Sequence, residues 1–198
     1  PRSTDSVAIT ARFLDEHTSG VTASLRYRVD GTTSFGTSTM LDDGAHGDGV
    51  AGDGFHGAIL PARADGTIVE FYVEVQDLEG NARTWPAPVQ PAGTQSANLL
   101  YQVRDSTYTG QQPLYLLIMT EVERAELDYI GDTLPDALSD ADMNGTFISV
   151  DERGTALHYT VGIRNRGHGG RTARPNNYQL CFPNDRQWKG IRALKLKT

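Results

Sequence analysis

The feature that most constrains this chain is a regular alternation of apolar and polar residues in its first hundred positions. In "TIVEFYVEVQDLEGN", apolar residues occupy every second position at Val69, Phe71, Val73 and Val75. Successive side chains of a strand point to opposite faces, so this spacing places all four on one face of a sheet. "VTASLRYRVDG" repeats the pattern and, like the first run, ends in a turn sequence. Residues 1–104 are therefore predicted to form an all-β antiparallel sandwich of roughly seven strands.

The pattern changes after the polar segment 105–112, which is predicted to be a linker. "LYLLIM" is wholly apolar, as expected for a strand that is covered on both faces. Thr120, with Glu123 three residues later, predicts a capped helix over "EVERAELDYIG" that ends at Gly131. "GTFISVD" and "ALHYTVGIRNRG" are predicted to pair, and "NYQLCF" and "IRALKLKT" to be two more strands. Residues 113–198 are thus expected to form a mixed α+β module, and a chain ending within a strand favours a truncated domain.

Charge and cysteine content exclude several classes of function. The net charge is −7, which argues against non-specific binding of nucleic acid. No apolar run approaches the roughly 20 residues that a transmembrane helix needs. Cys181 is the only cysteine, which excludes a disulfide framework and a metal site built from cysteines.

The stretch "DDGAHGDGVAGDGFHG" contains three five-residue units that start at Asp43, Asp48 and Asp53. Each of these aspartates precedes a glycine, a combination typical of turns in which the carboxylate accepts a nearby backbone N–H. Spaced carboxylates are also calcium ligands. Two interpretations stay open: a loop held by its own turns, and a calcium site formed by these three aspartates.

The segment "RNRGHGGRTAR", from Arg164 to Arg174, is the best candidate for a binding site. Glycines allow backbone N–H groups to approach an anion, and guanidinium groups donate charge-assisted hydrogen bonds to phosphate. The alternative is that the arginines pair with acidic residues of the first module and fix the two modules together. The residues predicted to bind a phosphate-bearing cofactor are Arg164, Arg166, Gly167, Gly169 and Arg171.

Two parts of the chain resemble known families. The pattern "YRVDG…MLDDGAHGDGVAGDGFHGAILPA…VEFYVEVQDLEGN" resembles the immunoglobulin-like, fibronectin-III-like domains of large secreted bacterial proteins. "YLLIMTEVERAEL…NGTFISV…YTVGIRNRGHGGRTARPNNYQLCFPNDRQWKGIRALKL" resembles the N-terminal part of the spore-coat protein H (CotH) kinase domain. The second resemblance covers roughly residues 113–198.

The kinase resemblance implies an atypical kinase-like N-lobe that binds ATP with Mg or Mn. Such enzymes transfer phosphate to Ser or Thr hydroxyls. The resemblance implies that this protein is secreted or lies at the cell surface and that its substrates are extracytoplasmic proteins. The family usually carries lysine just before the alternating strand, where this chain has Pro175, Asn176 and Asn177. The expected partner is a protein substrate or, in the alternative, a surface partner of a non-catalytic scaffold or adhesion protein.

Overall fold

The computed structural model describes residues 1–13, 20–132, 139–167 and 176–197. It divides the chain into two compact units, Pro1–Thr107 and Tyr108–Thr198. The division falls within segment 105–112. No helix in the described ranges is long and apolar enough to cross a membrane.

The first unit consists of strands, with no helix among its described residues. Its strands are β1 (Val7–Arg12), β2 (Thr22–Val29), β3 (Gly36–Met40), β4 (Phe55–Leu60), β5 (Ile68–Gln76), β6 (Ala82–Trp85) and β7 (Leu99–Gln102). β1 pairs with β4 in one sheet, and the other has the order β3-β2-β5-β6, with β7 paired to the first half of β5. All pairs are antiparallel. The predicted all-β character of this unit is confirmed.

Strand β5 supplies the centre of the core. Val69, Phe71 and Val73 are almost fully buried, as the alternation predicts. Glu70 lies on the opposite face and is nevertheless only 4% exposed. Its carboxylate accepts hydrogen bonds from Arg28 Nε at 2.5 Å and from Asn98 Nδ2 at 2.7 Å. Burial of this charge is tolerated because both carboxylate oxygens have donors.

The second unit is a five-stranded antiparallel sheet with one helix among its described residues. Its elements are β8 (Leu114–Ile118), α1 (Glu121–Asp132), β9 (Met143–Asp151), β10 (Gly154–Asn165), β11 (Tyr178–Cys181) and β12 (Ala193–Leu196). The sheet has the order β12-β11-β10-β9-β8, so the predicted pairing of β9 with β10 is confirmed. The prediction that β8 is covered on both faces is wrong at Tyr115, which is 36% exposed.

Helix α1 begins as the sequence indicates. The Thr120 hydroxyl accepts a hydrogen bond from the Glu123 N–H at 3.2 Å, which is the contact of an N-cap. The described helix includes Gly131, where it was predicted to end, and extends to Asp132.

A bulge in β10 determines which of its side chains enter the core. The register changes between His158 and Val161, so two residues of β10 lie opposite Thr146 of β9. One extra residue reverses the alternation, and His158 and Val161 therefore face the same side of the sheet. Thr160 within the bulge has a φ of 53°, which a β-branched residue rarely adopts.

Candidate functional site

The structure describes both ends of the arginine–glycine segment. β10 and β11 pair as far as Asn165 opposite Tyr178, and the Arg166 N–H then donates to the Asn177 carbonyl at 2.8 Å. The base of the segment is therefore a continuation of the β10–β11 hairpin. Two of the predicted site residues, Gly169 and Arg171, lie outside the described residues.

Arg164 is held by acidic residues of its own unit. Its guanidinium donates to the Asp140 carbonyl at 3.3 Å and lies 3.5 Å from the Asp140 carboxylate. Its Nε lies 3.8 Å from the Asp142 carboxylate. Both partners belong to the acidic stretch that precedes β9, whereas the sequence-based alternative placed the arginine partners in the first module. Carboxylates thus already compensate the charge of Arg164.

Arg166 and Gly167 differ from Arg164 in their surroundings. Within the described part of the chain, the half-buried Arg166 side chain forms no ion pair. Gly167 has a φ of 102°, a backbone conformation that favours glycine. A guanidinium group that forms no ion pair with a carboxylate can donate charge-assisted hydrogen bonds to phosphate.

One of the residues at the place where the resemblance leads us to expect lysine, Asn176, is a buried amide. Asn176 is only 3% exposed, and its Nδ2 donates to Asn165 Oδ1 at 3.0 Å. Asn165 is 2% exposed and donates in turn to the Leu127 carbonyl of α1 at 2.6 Å. These two asparagines were missed as structural determinants of the site. For Asn176 the available signal was the polar pair Asn176–Asn177 directly before an apolar strand, whereas no sequence signal marked Asn165.

In the aspartate–glycine loop, Asp48 is the central acceptor. Its carboxylate accepts backbone N–H bonds from Asp43, Gly44 and His46 at 2.7–2.8 Å, and the residue is 4% exposed. These hydrogen bonds, first that from Gly44, lower the pKa of Asp48 below its usual value. A carboxylate with three N–H donors stays ionised because each donor stabilises the charged form.

Two further aspartates hold the second half of the loop. Asp42 accepts from the N–H groups of Gly52 and Gly54 at 2.7 and 2.9 Å. Asp53 accepts from the N–H of Phe55 at 2.9 Å, two residues ahead, as in an Asx turn. Asp42 thus makes the longest-range side-chain hydrogen bonds within the loop, to residues ten and twelve positions along the chain.

Asp43, the remaining predicted ligand, uses its carboxylate within the first five-residue unit. It accepts from the Ala45 N–H and lies 2.9 Å from His46 Nδ1; the His46 contact is the main cause of its lowered pKa. Among the described residues, no three His, Cys, Asp or Glu side chains are placed to share a metal ion. The loop is thus held by its own N–H groups, and calcium binding stays a prediction.

The loop lies against the β1–β4 sheet. A Cβ atom on Gly57 of β4 would be 2.3 Å from the His46 carbonyl oxygen, and one on Gly47 would be 2.7 Å from the Ala8 side chain. Backbone approaches this close require glycine.

No family model matches the chain, and no curated protein or solved structure matches it either. A function must therefore be inferred from the geometry of the described residues together with the resemblance of the sequence.

Proposed function

We propose that this chain is part of an extracytoplasmic protein of the CotH kinase type and that its second unit contacts the phosphates of ATP at the loop end of β10 and β11. The observation that carries the proposal is Arg166, whose side chain lacks an ion pair within the described ranges beside a glycine of positive φ. The sequence resemblance adds the identity of the ligand. The kinase-like character of the antiparallel sheet and α1 belongs to the same proposal.

In this proposal Arg166 binds and orients rather than reacts. Its planar guanidinium donates two parallel hydrogen bonds to phosphate oxygens, which fixes the phosphate in direction as well as position. Mg or Mn, when bound with ATP, neutralises phosphate charge during transfer to a protein hydroxyl. The substrate class is a Ser or Thr side chain of an extracytoplasmic protein.

Binding of ATP with Mg by the 198-residue chain tests the proposal. Calorimetry of the wild type should show saturable binding, and Arg166→Ala should weaken it about tenfold or more, because charge-assisted hydrogen bonds contribute about 1.5–3 kcal/mol. Arg153→Ala is the matched control. Arg153 is an exposed arginine in the β9–β10 turn, at the other end of β10.

Absence of binding by the wild type would make the proposal wrong. Equal losses in both arginine variants would indicate unspecific attraction of the nucleotide to positive charge instead of a site.

A second candidate function is a non-catalytic scaffold or adhesion protein. It is favoured by the contacts of Arg164 with Asp140 and Asp142 and by the burial of Asn176, because both use polar side chains of the loop base for structure. In that case the chain would show no ATP binding, while Arg164→Ala would lower the stability of the second unit.

A further inference from the structure

The base of the arginine–glycine segment is closed by two different hydrogen bonds between the same short stretches. The side chain of Asn176 donates to the side chain of Asn165, and the backbone N–H of Arg166 donates to the Asn177 carbonyl. Together these contacts form a ring of four residues. The backbone hydrogen bond of Arg166 thus lies directly beside the asparagine pair.

The same ring is attached to helix α1. Asn165 donates from its amide to the Leu127 carbonyl at 2.6 Å while its oxygen accepts from Asn176. Asn165, Asn176 and Leu127 are all at least nine-tenths buried. A buried amide that lost its partner would carry a desolvation cost. Side-chain conformations of Asn165 and Asn176 that break these hydrogen bonds are therefore unfavourable.

We propose that Asn165 and Asn176 are positioning residues. They connect helix α1 to the backbone at Arg166 and so hold the Arg166 side chain in place for binding a phosphate group. The inference rests on the proposed function, since it assigns these residues to the same ATP contact. Neither asparagine touches the phosphate. Each acts through the backbone that carries Arg166, because fixing a flexible cation in advance removes part of the entropy cost of binding.

The test uses Asn176→Asp in the 198-residue chain, because aspartate keeps the size of the side chain and removes the N–H donor. We expect hydrogen exchange at the Arg166 amide to rise about tenfold at pH 7 while exchange at Ile163 in the same strand stays unchanged. Affinity for ATP with Mg should fall by a similar factor. The control is Gln179→Ala, which removes an amide from the neighbouring strand β11. It should change neither the exchange rate of the Arg166 amide nor the affinity for ATP.

Acidification separates positioning from simple loss of packing. Burial raises the pKa of the introduced carboxyl, and its protonated form can again donate to Asn165. The ratio of mutant to wild-type affinity should therefore recover as the pH falls from 7 to about 5. Asn176→Ala has no proton to regain and should show no recovery.

The outcomes distinguish the two proposals. Unchanged exchange at Arg166 in Asn176→Asp would overturn the positioning role, whatever the nucleotide does. Faster exchange with unchanged ATP affinity would overturn it as well. If the wild type binds no ATP, the proposed function and the positioning role both fail, and faster exchange at Arg166 in Asn176→Asp would then leave a purely structural ring.

Discussion

Gly57 shows how a single residue decides the position of the aspartate–glycine loop. A Cβ atom at this position would lie 2.3 Å from the His46 carbonyl oxygen, closer than any van der Waals contact allows. The obstacle is backbone, which moves only if the loop moves. Hydrogen bonds to Asp48 hold that part of the loop, because the His46 N–H is one of its donors.

We therefore expect Gly57→Ala to destabilise the first unit by about 1–3 kcal/mol, the usual cost of inserting an atom into packed structure. Urea unfolding followed by amide NMR signals of β1 and β4 measures this. Gly36→Ala in β3 is the control, because its added Cβ would meet only ordinary contacts with Tyr27 at 3.4 Å and beyond.

An equal effect of both alanines would contradict the close contact at Gly57.

The same unfolding assay with EDTA, and then with added calcium, tests the calcium interpretation. Independence from both would support a loop held by Asp42, Asp48 and Asp53 through hydrogen bonds alone.

At the scale of elements, helix α1 is the clearest case of a local signal. Thr120 caps its first turn, and Glu121 and Glu123 place negative charge at the positive end of the helix dipole. Glu123 also accepts from the Asn144 N–H through its side chain at 3.1 Å, so the first turn is tied to the start of β9. The cap thus serves the helix and its attachment to the sheet.

Thr120→Ala should lower the stability of the second unit by about 1 kcal/mol, because the Glu123 N–H loses its acceptor. Thr120→Ser retains the hydroxyl and should recover most of the loss. Val122→Ala is the control for introducing alanine into the first turn without removing the cap. Val122 is 77% exposed. Chemical unfolding monitored by Trp188, which is buried in this unit, reports the effect. A loss in Thr120→Ser as large as in Thr120→Ala would contradict the role of the hydroxyl.

Across the whole molecule, aspartates that accept hydrogen bonds make stability depend on pH. In the described part of the first unit, several aspartates have a lowered pKa, chiefly through hydrogen bonds that they accept: Asp5, Asp43, Asp48, Asp77 and Asp105. In the second unit, Asp151 has a lowered pKa, first through its contact with Lys189. The stability of the first unit thus depends on ionised carboxylates.

A carboxyl group with a lowered pKa in the folded state adds stability that is fully present above its unfolded pKa, about 3.9 for aspartate. That stability is lost as the pH falls through the folded value. We therefore expect the stability of the first unit to change little between pH 7 and about pH 5 and to fall below about pH 4. Urea unfolding at each pH, followed by amide signals of the first unit, measures this loss. A first unit that is as stable at about pH 3 as at pH 5 would contradict the prediction.

Much of the fold could be predicted because the signals are local. The alternation in β5 fixes which side chains share a face, since the strand repeat is a property of the backbone. Thr120 and Glu123 predict the start of α1 for a similar reason, because a cap involves residues three positions apart. The bulge at Thr160 has no such signal, and it changes the face of every side chain that follows it in β10.

The candidate site shows where local reasoning stops. The sequence alone shows that arginines and glycines cluster between two predicted strands and that aspartates precede glycines in the earlier loop. The contacts of Arg164 with Asp140 and Asp142, and the link from Asn176 through Asn165 to helix α1, form only when the chain folds. Periodicity and turn chemistry can be predicted because they follow from neighbouring residues along the backbone. The partner of a charge or a buried amide depends instead on which distant segments packing brings within hydrogen-bonding distance.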